Sequence, residues 1–131
     1  MTIFTLTIGT GIPTFVIYDV SMDDNEFRRR ADAAISALTK SLYAAEADAD
    51  FEVEERDGAV HIEFEEPPGR FVISPNAPGR QSWISALSTS FKLDWSDSAN
   101  DFVLTKSNEA LKPLVARLIN QQLGSENVKL V

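Results

Sequence analysis

The spacing of apolar residues changes twice along this chain, and this change constrains the fold more than any other feature. From Asp23 onward, apolar residues recur at steps of three and four, which predicts one amphipathic helix of about 22 residues. An Asp-x-x-Glu pattern at Asp23 to Glu26 is typical of a helix start. The predicted buried stripe consists of Phe27, Ala31, Ile35, Leu38 and Leu42.

The middle of the chain alternates apolar and polar residues with a period of two. Its first two segments flank Asp57-Gly58, a dipeptide typical of tight hairpin turns. Further segments follow at 70–74, 80–85, 91–95 and 101–105, separated by Pro/Gly or polar loops. We therefore expect five or six antiparallel strands that follow one another as a meander.

A second helical stripe precedes Gly124, and its apolar positions are Leu111, Leu114, Val115, Leu118 and Ile119. Because proline lacks an amide hydrogen, Pro113 must lie in the first turn of this helix. The order helix, meander, helix predicts an α+β two-layer sandwich. In this sandwich the N- and C-terminal helices pack on one face of a five- to six-stranded antiparallel sheet.

Residues 1–21 differ from the rest, because they are rich in Thr, Ile and Phe and carry one charged residue, Asp19. The segment lacks the basic start and cleavage site of a signal peptide. Gly9, Gly11 and Pro13 interrupt it too often for a membrane-spanning helix. We divide the chain into an atypical N-terminal extension, 1–21, and one folded domain, 22–131. The extension is either a β-forming segment or a consequence of assigning the start to Met1 instead of Met22.

The overall charge limits the classes of partner. The 131 residues carry a formal net charge of −8, so we expect neither nucleic acid nor membrane as a partner. The chain has no cysteine, which excludes a thiolate-held zinc ion or iron–sulfur cluster. We expect a cytoplasmic protein.

Carboxylates are concentrated between residues 46 and 66, where ten of the 20 acidic residues lie. One interpretation is a solvated acidic surface without further function. The other is a weak site for a hard cation, because carboxylate oxygens suit iron, manganese, magnesium and calcium. The candidate metal ligands are Glu46, Asp48, Asp50, Glu52 and Glu54.

Strand parity in the segment 80–85 places the side chains of Trp83 and Ile84 on opposite faces of the sheet. If Ile84 faces the helices, Gln81 and Trp83 share the opposite, open face of the sheet. An exposed tryptophan is typical of an interface anchor. His61 is expected on the same face, and no catalytic triad or phosphate-binding loop is evident, so we expect a protein that is not an enzyme.

The sequence resembles the frataxin family, most closely its bacterial members, over residues 22–125. The resemblance is carried by DNEFRRRAD at 24–32, by ISPNAPGRQSWIS at 73–85 and by FKLD at 91–94. It implies a sandwich fold and a role in iron–sulfur cluster assembly with a cysteine desulfurase and a scaffold protein. Members of the family have a basic residue on the strand after the tryptophan, and this chain has Lys92 at that position. The first helix departs from the family, because Thr39-Lys40 and Tyr43-Ala44 replace paired acids.

We therefore expect a monomeric frataxin-like protein that binds iron weakly at its surface and holds no cofactor tightly. The candidate partner-binding residues are Gln81, Trp83 and Lys92. Two alternatives remain open. The first is a small acidic α+β secretion-type chaperone that binds an effector protein and would need an apolar dimer face. The second is a ferroxidase, which would oxidise iron at the acidic residues.

Overall fold

The computed structural model of this chain describes residues 2–8, 12–18 and 23–131. Two helices are present in these ranges, α1 (Asp24–Glu46) and α2 (Leu111–Leu123). The strands are β1 (Thr2–Ile8), β2 (Ile12–Tyr18), β3 (Glu52–Arg56), β4 (Ala59–Glu65), β5 (Pro68–Asn76), β6 (Gln81–Ala86), β7 (Thr89–Ser96), β8 (Asp101–Leu104) and β9 (Glu109–Ala110).

Strands β3 to β9 form one antiparallel sheet in which spatial order follows sequence order. The predicted meander and the α+β class are therefore confirmed. The sheet has seven strands instead of the predicted five or six. The additional strand is β9, whose two residues pair with β8 immediately before α2. Two residues are too few to produce a recognisable period.

The inner face of the sheet and the two helices share one core. Phe27 on α1 contacts Phe102 on β8 edge-to-face, with 6.1 Å between the ring centroids. The predicted start of α1 is confirmed, because the Asp23 side chain accepts a hydrogen bond of 2.8 Å from the Glu26 amide. Pro113 is the third residue of α2, in its first turn, as predicted. Buried core residues include Leu38, Leu42, Val60, Ile62, Phe71, Ile73, Ile84, Leu93, Leu114 and Leu118.

The segment after α2 is fixed against both helices. Asn120 of α2 bonds both backbone groups of Val128, donating to its carbonyl and accepting from its amide at 3.0 Å each. The Ser41 hydroxyl of α1 donates to the carbonyl of Val131. Val128 and Leu130 are buried, so these two side chains belong to the core.

Strands β1 and β2 pair with each other in a separate two-stranded antiparallel sheet, from Thr2 opposite Tyr18 to Ile8 opposite Ile12. The backbone thus agrees with the β-prone composition of residues 1–21. Residues 9–11 and 19–22 lie outside the described part of the chain. The alternative start at Met22 stays a prediction.

In the ranges that the structure describes, neither α1 nor α2 is both long and apolar enough to cross a membrane.

A chain that begins at Met22 should unfold within a few degrees of the full chain. The buried residues from Phe27 to Leu130 already join both helices to one face of the sheet. The comparison requires thermal unfolding of both chains, followed by circular dichroism. A loss above about 2 kcal/mol, or roughly 5 °C for a domain of this size, would show that the N-terminal hairpin stabilises the sandwich.

Candidate functional site

The five candidate metal ligands lie along one border of the sandwich, which we call the acidic edge: Glu46, Asp48, Asp50, Glu52 and Glu54. Glu46 is the last residue of α1, and Glu52 and Glu54 lie on β3, the first strand of the sheet. Asp48 and Asp50 occupy the turn between them. The chain therefore gathers these residues at one place, where the first helix passes into the sheet.

Glu46 differs from the other members of the acidic edge, because a backbone donor already occupies its carboxylate. Its Oε2 accepts a hydrogen bond of 2.6 Å from the amide of Val53. This bond ties the end of α1 to the start of β3. The sequence predicts Glu46 as a metal ligand, whereas the structure gives it a structural contact that would compete with a cation.

Arginines neutralise part of the charge near the acidic edge. Arg56 lies 2.9 Å from a carboxylate oxygen of Glu54 on the same strand. On the neighbouring strands, Arg70 lies 2.7 Å from Glu63, and Glu63 stands opposite Glu52 in the β3–β4 register. These ion pairs are largely exposed and add little stability, but they lower the local negative charge.

A depression of about 480 Å³ adjoins the acidic edge and collects carboxylates that the metal prediction omitted. It is lined by Asp50, Glu52, Glu63, Glu65 and Glu66 together with Ala49 and Phe51. The Asp57-Gly58 turn is the sequence feature that could have predicted the position of Glu63. A two-residue hairpin turn fixes which residues of β3 and β4 face each other, and Glu63 stands opposite Glu52.

The acidic residues do not form a chelating site. Among the residues that the structure describes, no three Asp, Glu or His side chains are placed to hold one metal ion together. Exposed carboxylates that act singly or in pairs bind hard cations weakly and with little selectivity. The exposed oxygen donors of the acidic edge thus suit a hard cation bound by one or two carboxylates at a time.

Tyr43 lies near the acidic edge on α1 and is 45% exposed. Partial desolvation and then the negative charges of Glu55 and Glu46 raise the pKa of its phenol, so the phenol stays protonated. It can therefore offer a hydroxyl donor among carboxylates. The sequence alone indicates Tyr43 only as a replacement for an acid of the family.

Trp83 is placed as strand parity predicts. It lies on the outer face of β6 with 38% of its surface exposed, whereas the adjacent Ile84 is buried at 1%. Gln81 shares the outer face, and Lys92 stands directly opposite Trp83 on β7. The three predicted partner-binding residues are therefore neighbours, and we call Gln81, Trp83 and Lys92 the sheet patch. His61 lies on the same face, opposite Glu54 of β3.

Polar contacts hold the Trp83 ring in one orientation. Its indole Nε1 donates to Oε1 of Gln81 at 3.0 Å, and Nζ of Lys92 lies 5.0 Å from the ring centroid. Gln81 in turn donates through Nε2 to Asp94 at 3.0 Å. Asp94 was not predicted as part of this site, because its contact with Gln81 depends on the β6–β7 register. An aromatic side chain that is already fixed loses little entropy on binding.

Gly79 allows the loop before β6 to support Gln81. A Cβ atom added at Gly79 would lie 2.6 Å from Nδ2 of Asn76 and 3.1 Å from Oε1 of Gln81. Any other residue would therefore displace one of these amides. In addition, Arg80 forms an ion pair with Asp24 at the start of α1, which ties this loop to the helix layer.

Comparison with known proteins gives the class of this protein. A family model described as a frataxin-like domain matches residues 20–125. The frataxin from Psychromonas ingrahamii has the same fold, with a TM-score of 0.71 and 19% identity over 84% of this chain and 99% of that one. The chain belongs to the frataxin-like family, as its sequence pattern indicated.

Curated relatives point to the bacterial branch of this family. The iron–sulfur cluster assembly protein CyaY of Dechloromonas aromatica (strain RCB) is 30% identical over 103 residues, which cover 79% of this chain and 94% of the relative. The protein of the same name from Pseudomonas fluorescens (strain Pf0-1) is 30% identical over 81 residues, covering 62% of this chain and 73% of the relative.

Replacing Trp83 should cost far less stability than replacing its neighbour. We expect Trp83→Ala to lower the free energy of unfolding by less than about 1 kcal/mol, because the ring is partly exposed and outside the core. Ile84→Ala, the matched change on the inner face, should cost about 2–5 kcal/mol. Urea unfolding measures both, and a larger loss for Trp83→Ala would place its ring in the core.

Removing charge from the exposed part of the acidic edge should abolish cation binding without loss of stability. The variant changes Asp48 and Asp50 to Asn and Glu52 and Glu54 to Gln, which relieves repulsion between like charges. Mn²⁺-induced line broadening in the NMR spectrum should disappear in this variant. It should persist in the control that changes Asp97 and Glu126, two exposed acids outside the acidic edge, to their amides.

Glu46 should behave differently from these four residues. Glu46→Ala leaves the Val53 amide without its acceptor, so we expect a loss of about 1 kcal/mol in the free energy of unfolding. Broadening that survives the fourfold change, or that centres on His61, would contradict the assignment of the cation to the acidic edge.

Proposed function

We propose that this chain acts in iron–sulfur cluster assembly by docking on a cysteine desulfurase and its scaffold protein. Membership of the frataxin-like family supports this proposal, as do relatives whose names describe them as iron–sulfur cluster assembly proteins. The observation that carries it is the sheet patch, because Trp83 is large, exposed and fixed by Gln81 and Lys92. Such aromatic side chains are typical anchors of protein interfaces.

The two surfaces have different parts in this proposal. The acidic edge attracts a basic region of the desulfurase, and the net charge of −8 speeds the encounter. The sheet patch then supplies the contact that resists dissociation. Because electrostatic screening extends over only about 8 Å at physiological ionic strength, attraction by the acidic edge should depend strongly on salt.

Iron in this proposal is a weakly held cargo and modulator. Its dissociation constant at the acidic edge should lie at about 10⁻⁵–10⁻³ M, the weak end of binding by oxygen ligands alone. A bound cation reduces the negative charge of the acidic edge. Iron binding and docking on a basic surface therefore oppose each other.

We propose a monomeric, cytoplasmic protein that works by binding and carries no catalytic residue or tightly held cofactor. The carboxylates of the acidic edge other than Glu46 are exposed, so they lack the apolar surroundings that a catalytic carboxylic acid usually has. The family match favours this interpretation over a secretion-type chaperone, which depended on small size, acidic charge and fold class.

Trp83→Ala should weaken desulfurase or scaffold binding by about 2 kcal/mol or more, close to 30-fold in the dissociation constant. The matched control is Leu87→Ala, because Leu87 is equally exposed at 39% but lies at the tip of the β6–β7 turn. We expect less than a threefold effect from it, about 0.6 kcal/mol. Calorimetric titration with the purified partners at several salt concentrations measures both variants.

The salt series separates the two surfaces. Trp83→Ala should leave the salt dependence of binding unchanged, whereas the fourfold acidic-edge variant should flatten it. Equal losses for Trp83→Ala and Leu87→Ala, or full affinity in Trp83→Ala, would contradict the assignment of the sheet patch as the anchor.

A further inference from the structure

A second groove lies on the helix side of the molecule, between α1, the start of α2 and the start of β8. Its volume is about 450 Å³, within the range of ligand-binding clefts. Its lining combines basic side chains with an apolar and aromatic surface: Arg29, Arg30, Ala34, Trp95, Leu111 and Lys112. Neither the acidic edge nor the sheet patch contributes a residue to it.

The charge of this groove is opposite to that of the acidic edge. Three of the 12 basic residues of the chain line it, in a protein whose net charge is −8. Arg29 is exposed and makes no ion pair within the residues that the structure describes. Lys112 lies on the α2 side of the groove and interacts electrostatically with Asp101. Arg29 and Lys112 are therefore in position to attract a negatively charged ligand from the two helices.

Arg30 has a structural part in the groove. It forms ion pairs with Glu26 at 2.6 Å and with Asp97 at 3.7 Å. Its guanidinium also lies 4.4 Å from the centroid of the Trp95 ring. Trp95 packs edge-to-face on the buried Phe102 at 5.3 Å, so this wall of the groove is fixed. The wall offers an aromatic surface that needs no rearrangement before it binds a ligand.

The floor of the groove is apolar and lined by small side chains. Ala33, Ala34 and Ala37 of α1 face it, together with the buried Leu111. This leaves space for one or two aliphatic side chains of a ligand. The start of α2 adds to the positive character, because no side chain caps it and its first turn contains no acidic residue.

We propose that this groove binds an acidic segment of a second partner protein. An aliphatic side chain of that segment lies on the alanine floor beside Trp95, and flanking carboxylates contact Arg29 and Lys112. Charge complementarity identifies this occupant, because a basic segment would be attracted to the acidic edge instead. The protein can then hold a basic partner and an acidic partner at the same time.

Asp101 gives this proposal a sensitive test. It is the acidic residue that lines the groove, and its carboxylate accepts a hydrogen bond of 2.8 Å from the Phe102 amide. Its negative charge opposes an acidic ligand. Asp101→Asn should therefore tighten binding of an acidic segment, a result that loss of structure would not produce.

The probe is a synthetic peptide of about ten residues with blocked ends, in which Glu alternates with Leu. Its control replaces every Glu by Gln. We expect the acidic peptide to shift the NMR signals of Ala33, Ala37 and Lys112 in the full ¹⁵N-labelled chain, saturating below about 1 mM, the range of weak transient contacts. The Gln peptide should bind at least about tenfold more weakly, since it cannot pair with Arg29 and Lys112.

Arg29→Glu should weaken binding of the acidic peptide about tenfold or more. The matched control is Arg28→Glu, which makes the same charge change at an exposed α1 residue that does not line the groove. It should have less than about a third of that effect. The same spectra show whether each variant is folded.

Several results would overturn the proposal. They are the absence of saturable shifts, equal binding of the Gln peptide, and equal losses for Arg28→Glu and Arg29→Glu. Hexanoate binding as tightly as the acidic peptide would assign the groove to a small carboxylate instead of a protein segment. None of these results depends on the desulfurase, so failure here leaves the proposed function unaffected.

Discussion

Burial of apolar side chains between the helices and one face of the sheet determines the rest of this structure. Phe27, Phe71 and Phe102 are each at most 1% exposed, and the contact between Phe27 and Phe102 joins α1 to β8. Each large apolar side chain buried in this way contributes about 1.5–3 kcal/mol. Because both helices cover the same face, every residue of the opposite parity on the central strands faces outward. The open face is thus a direct consequence of where the core lies.

The two candidate surfaces follow from this arrangement in different ways. The sheet patch depends on strand parity and on the register between β6 and β7, which together bring Gln81, Trp83 and Lys92 side by side. The acidic edge depends on chain order, because β3 follows α1 after a short turn and forms the border of the sheet. The contact between Glu46 and the Val53 amide fixes this border to the helix layer. The two surfaces therefore differ in kind, because side-chain contacts fix the sheet patch, whereas most of the acidic edge consists of exposed carboxylates.

Sequence periodicity was sufficient to predict the fold class and the orientation of Trp83, because both depend on which residues alternate. It was not sufficient for the β6–β7 register. Leu87 and Ser88 form a two-residue turn with φ values of 52° and 60°, and neither is the Gly or Asn that usually marks such a turn. The contact between Gln81 and Asp94 therefore could not be predicted. The hydrogen bond of Glu46 was also unpredictable, since it depends on how the chain turns after α1.

In the proposed function, the open sheet face and the acidic edge together contact the desulfurase or its scaffold. Cross-saturation NMR tests it most directly, with the deuterated, ¹⁵N-labelled chain bound to each unlabelled partner. We expect saturation transfer at Gln81, Trp83 and Lys92 and along β3. Transfer confined to α1 and α2, with the outer face of β6 and β7 unaffected, would contradict it.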